Sequence, residues 1–124
     1  MRRSLIALSA VAVFAATLLV VPVALAKDGD VRVAGTCSAS STSKLKLSRE
    51  DGGVEVEFEV DQNRNGVRWH VVLFRNGSRV ASRSAVTRGP SGSFEARFVA
   101  SGAGRFVATA RRGGERCSAR ASFA

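Results

Sequence analysis

Residues 54–60 read VEVEFEV, with apolar and acidic side chains alternating without a break. A helix cannot carry a two-residue period, whereas a strand sends successive side chains to opposite faces. Val54, Val56, Phe58 and Val60 therefore share one face, and Glu55, Glu57 and Glu59 the other. The same period recurs along the chain. In VRWHVVLF it groups Val67, Trp69, Val71 and Leu73. In SFEARFVA it groups Phe94, Ala96 and Phe98, and in RFVATARR it groups Phe106, Ala108 and Ala110. No stretch after residue 26 keeps a helical period.

Turn chemistry separates these runs at short intervals: Asp51-Gly52-Gly53, Asn65-Gly66, Asn76-Gly77, Gly89-Pro90, Gly102 to Gly104 and Gly113-Gly114. Asn-Gly between alternating runs signals a tight hairpin, because both central residues of a type I′ turn need positive φ. Strands are predicted near 31–37, 43–49, 53–61, 67–75, 79–87, 93–100, 105–111 and 115–123. Many short strands at this spacing give an all-β fold, an antiparallel sandwich or barrel. The predicted core is Val54, Val56, Phe58, Val67, Trp69, Val71, Leu73, Phe94, Phe98, Phe106 and Ala108.

The first 26 residues have the organisation of an export signal. Arg2 and Arg3 precede an apolar run from Leu5 to Val21, Pro22 breaks it, and Ala24-Leu25-Ala26 supplies the small residues a signal peptidase reads. An uncleaved anchor is the rival, since the run approaches the roughly 20 residues that span a bilayer. The proline and the A-x-A site favour cleavage between Ala26 and Lys27, with no stable membrane span afterwards. Residues 27–124 would then form one secreted domain of 98 residues, with 17 basic side chains against 10 acidic. In an oxidising compartment the only two cysteines, Cys37 and Cys117, are expected to form one disulfide. The arginine excess permits polyanion contact. A genome rich in G and C would produce the same excess without any function, and the sequence leaves both explanations open.

Residues 43–123 resemble an immunoglobulin-like or fibronectin type III-like domain of the kind found in small secreted actinobacterial proteins. Trp69 matches the core tryptophan of the third strand, and GRFVATA at 104–110 is similar to the G-x-Y-x-C-x-A of the sixth. Phe106 stands where that pattern has its corner tyrosine, and Ala108 where it has a disulfide cysteine. The resemblance therefore implies a two-sheet sandwich of seven or eight strands without the internal inter-sheet disulfide. Segment 31–37 would be an added strand, stapled to the last strand through Cys37 and Cys117. A fold of this type implies no activity by itself.

One stretch imitates a metal loop. Asp61, Asn63, Asn65 and Gly66 occupy positions 1, 3, 5 and 6 of the calcium pattern D-x-[DN]-x-[DN]-G. Position 12, which should be a bidentate Glu, is Val72, and Arg64 puts a positive charge inside the loop. The stretch is read as an Asn-Gly turn joining two strands, and no metal or cofactor is expected. Zinc in particular is not expected, because it wants four ligands and His70 is the single histidine.

Catalysis is not expected either. His70 alternates with Arg68 on an outward face, would pair with Arg83 across the Asn76-Gly77 turn, and has no orienting carboxylate. The stripe Glu55, Glu57 and Glu59 is answered by Lys44 and Lys46 of the preceding strand, so a cross-strand charge pattern explains it. Sugar recognition would need exposed flat rings. The chain has no tyrosine, and its one tryptophan is assigned to the core. Only Phe74 points outward, opposite Arg79.

The expectation is therefore a non-enzymatic secreted binding or structural module. Its candidate surface is an arginine-rich sheet face formed by Arg68, Arg79, Arg83, Arg105, Arg111, Arg116 and Arg120. The partner is unnamed by the sequence: an anionic cell-envelope polymer or another secreted protein. The alternative is a small secreted protease inhibitor presenting Arg88-Gly89-Pro90-Ser91 as a rigid extended loop.

Overall fold

A computed structural model describes residues 29–124; the segment read as an export signal and the expected cleavage point between Ala26 and Lys27 lie outside the described residues. The strands are β1 (Val31–Ala34), β2 (Thr36–Cys37), β3 (Thr42–Glu50), β4 (Gly53–Asp61), β5 (Arg68–Arg75), β6 (Ser78–Val86), β7 (Ser93–Ala100), β8 (Gly104–Arg112) and β9 (Glu115–Phe123). They form two antiparallel sheets, β1-β3-β4-β7 and β2-β9-β8-β5-β6. The chain is thus an all-β two-sheet sandwich. No helix among the described residues is long and apolar enough to cross a membrane.

Alternation places the core between the sheets. Val54, Val56, Phe58 and Val60 of β4 face Trp69, Val71 and Leu73 of β5, and all are essentially without solvent contact. Phe94 and Phe98 of β7 and Phe106 and Ala108 of β8 complete this layer, while Val67 is only partly buried against it. Trp69 tilts against Phe94 at 6.0 Å between ring centroids. Its indole Nε1–H donates to Gln62 Oε1 at 3.1 Å, so the one polar atom of this buried side chain is satisfied.

Cys37 and Cys117 are direct register partners and are joined in a disulfide, with Cα atoms 4.0 Å apart. The strand expected over 31–37 is divided. β1 pairs with β3 in one sheet, and β2 pairs with β9 in the other. Gly35 is the crossing point. A Cβ there would collide with Ser43 Oγ and with the Ser118 carbonyl oxygen, so only glycine lets the chain pass.

The two Asn-Gly pairs do different work. Asn76 and Gly77 have φ of 50° and 83° and close the β5–β6 hairpin, as a type I′ turn requires. Asn65-Gly66 does not join paired strands. It lies in the passage from β4 in one sheet to β5 in the other. Thr87, buried at 1% exposure, holds this passage together. Its hydroxyl donates to the Arg64 carbonyl at 2.6 Å and accepts from Val67 N–H at 2.9 Å. Asp61 Oδ1 accepts from Asn63 N–H at 3.0 Å, so the carboxylate of the calcium-like stretch caps its own turn.

The β5–β6 hairpin departs from simple alternation. A bulge between Leu73 and Phe74 leaves Val80 without a partner and shifts the register beyond it by one residue. His70 therefore faces Ser84, not Arg83, which pairs with Val71. The slip turns Ala81 and Ala85 toward the core and leaves Ser82 and Ser84 outside, so methyl groups are buried in place of hydroxyls.

Candidate functional site: the outer face of the five-stranded sheet

Register fixes which side chains share this face. Arg68, His70, Val72 and Phe74 of β5 lie in rows with Arg111, Thr109 and Val107 of β8, and these continue to Arg116, Ser118 and Arg120 of β9. Arg79 joins opposite Phe74, and Arg105 opposite Ser122. The strands thus bring together Arg68, Arg79, Arg105, Arg111, Arg116 and Arg120, all exposed. No carboxylate shares the face, and none of these arginines is in an ion pair among the described residues. Arg111 and Arg116 are direct partners, an arrangement in which like charges repel.

Arg83 does not belong to the face, contrary to the alternation argument. The register slip turns it to the inner side of edge strand β6, where its guanidinium carbon lies 4.8 Å from the centre of the Phe98 ring. It closes the open side of the sandwich by a cation–π contact with the opposite sheet.

A shallow groove of about 600 Å³ runs across the face. Val72 and Phe74 line it together with His70, Arg79, Arg111 and Arg116. Arg112 also lines it, a residue that alternation assigns to the inner side and that sequence reasoning passed over. Its strand partner is Glu115, but that carboxylate accepts from the backbone N–H of Ser41 at 3.3 Å. The Nε of Arg112 is left buried with no acceptor. The pair Arg111-Arg112 beside Gly113-Gly114 was the only sequence signal for it.

The outer face of the four-stranded sheet has the opposite character. Lys44 lies 3.6 Å from Glu59, and Lys46 lies 3.7 Å from Glu57 and 3.8 Å from Asp30. Arg97 reaches Glu57 at 3.0 Å, Glu95 at 3.2 Å and Glu55 at 3.8 Å. The hydrogen bond that Arg97 donates to Glu95, and then the charges of Glu55 and Glu57, hold its guanidinium above its ordinary range. The glutamate stripe is thus occupied in charge pairing.

The loop at 88–91 folds back on itself. Arg88 N–H donates to the Ser93 carbonyl at 2.9 Å and Gly92 N–H to the Arg88 carbonyl at 2.9 Å, forming a closed turn. His70 is exposed, and its neighbours across the strands are Ser84 and Arg111, neither of them a carboxylate.

Fold and face together describe a disulfide-closed β-sandwich with one charge-compensated face and one cationic face. Comparison with protein-family models, with curated proteins and with solved structures gives no match.

Proposed function

We propose that this protein is a non-enzymatic secreted binding module that holds anionic cell-envelope polymers on the outer face of its five-stranded sheet. One observation carries the reading: six exposed arginines share that face with no carboxylate among them. Unpaired like charges on one surface oppose folding through mutual repulsion, and a polyanion relieves that repulsion while releasing its own counterions. The disulfide is compatible with an oxidising, extracellular location. The strand order supports a fibronectin type III-like arrangement, with β3-β4-β7 against β9-β8-β5-β6 and β1–β2 as an added N-terminal strap.

The inhibitor alternative loses its support in the geometry of residues 88–93, because a closed turn does not offer a protease an extended segment. The purified protein is expected to stay on immobilised heparin or a phosphate polymer at low salt and to elute as salt rises. Flow-through at low salt would end the reading.

A further inference from the structure

The groove differs from the rest of the basic face in two respects. It holds Phe74, the one phenyl ring of the face among the described residues, beside Val72, so it offers an apolar floor between cations. It is also lined by Arg112, whose Nε is buried without an acceptor. Arg112 therefore adds a guanidinium to those of Arg111 and Arg116 at this end of the groove, where charge-assisted hydrogen bonds favour an anion.

We infer that the groove is a subsite for one phosphodiester repeat of a polyol-phosphate polymer. The phosphate engages Arg111, Arg112 and Arg116 near the β8–β9 turn, with Arg79 toward the far end. The flexible carbon chain between phosphates lies over Phe74 and Val72. Guanidinium forks suit the bidentate geometry of phosphate oxygens. A nucleic acid is disfavoured, because single-strand binders stack successive bases on several rings, and this face presents one phenyl ring and one imidazole among the described residues. Trp69, Phe58, Phe94, Phe98, Phe106 and Phe123 are all buried. The inference rests on the polyanion reading of the face but goes further, since it assigns one locus and one repeat chemistry.

Two variants with equal charge loss separate the two ideas. R79Q/R111Q/R116Q removes the groove's exposed arginines and leaves Arg112, and R68Q/R105Q/R120Q removes three arginines of the same face outside it. All six side chains are exposed, so thermal melting should show both variants folded. Each protein is then titrated by calorimetry with a synthetic poly(glycerol phosphate) oligomer and with a single-stranded oligonucleotide, and eluted from heparin with salt. On heparin both variants should weaken to a similar extent. On poly(glycerol phosphate) the groove variant should lose at least about tenfold more affinity than the other, equal to about 1.4 kcal/mol. A third variant, Arg112→Gln, should weaken that oligomer and leave heparin elution nearly unchanged. Equal losses of the two triple variants on the oligomer, with heparin binding retained by the parent protein, would overturn the subsite and leave the polyanion reading standing. Tighter binding of the oligonucleotide than of the polyol phosphate would overturn it as well. Absence of all binding, heparin included, would remove both.

Discussion

On the four-stranded sheet, Lys44, Lys46 and Arg97 each reach a carboxylate within 4 Å across or along the strands. On the five-stranded sheet, Arg111 faces Arg116, Arg105 faces Ser122 and Arg120 faces Val107. Both faces come from the same alternating code, which sends every second residue to solvent. They differ in what stands in register. β3, β4 and β7 set Lys44 opposite Glu59, and Lys46 and Arg97 opposite Glu57, so the face is closed electrostatically and offers little to a charged partner. On their outer face β8 and β9 set Arg111 against Arg116, and Arg105 and Arg120 against uncharged groups, so the charge stays available. A surface that served solubility alone would gain from interspersed signs.

The most severe way to break the contrast is to release the strap shared by the two sheets. β1 belongs to one sheet, β2 to the other, and Cys37–Cys117 anchors the crossing. C37A/C117A is expected to lower stability by about 4 kcal/mol, from a closed loop with a sequence separation of 80 residues. Urea unfolding with and without reductant measures this. The parent protein should shift with reductant and the double variant should not. Next in size, Trp69→Ala should cost about 3–5 kcal/mol, because the buried indole fills the layer between the sheets and the site cannot collapse around its loss. A cost near zero in the same assay would mean the faces do not depend on one common core.

A smaller effect sharpens the comparison directly. Arg116→Glu puts opposite charges where Arg111 and Arg116 now repel, so stability should rise by about 0.2–1 kcal/mol even as heparin elution moves to lower salt. A fall in stability with unchanged elution would show that the cationic face is neither strained nor used. The smallest effect is expected on the compensated face. Lys46→Ala removes ion pairs to Glu57 and Asp30, and its stability cost should stay below about 1 kcal/mol. Its heparin elution should match the parent. A shift as large as that of Arg116→Glu would mean that both faces attract the polyanion and the contrast has no functional meaning.

The strands of the sandwich, its core and its disulfide were legible in the sequence, because each depends on local information. Period-two alternation assigned Val54, Val56, Phe58, Trp69 and Leu73 to the interior, and two cysteines on apolar faces allow one pairing. The glutamate–lysine pairing was legible as well, since a short turn at Asp51-Gly52 confines the β3–β4 register to neighbouring choices.

Three features needed the tertiary structure. The division of 31–37 at Gly35 depends on how closely Ser43 and Ser118 approach, which no local pattern records. Asn65-Gly66 and Asn76-Gly77 are the same dipeptide, yet only the second closes a hairpin. The first is recruited by Thr87, some twenty residues away, into a passage between sheets. The fate of Arg83 was decided by a bulge earlier on its own strand, in the β5–β6 ladder. Side-chain direction in a strand has a period of two, so a single extra residue at Val80 reverses everything after it. The sequence by itself determines which residues can be buried and which charges exist. The tertiary structure decides which charges meet, because register is set by packing, here the choice of Ala81 and Ala85 over Ser82 and Ser84 for the core.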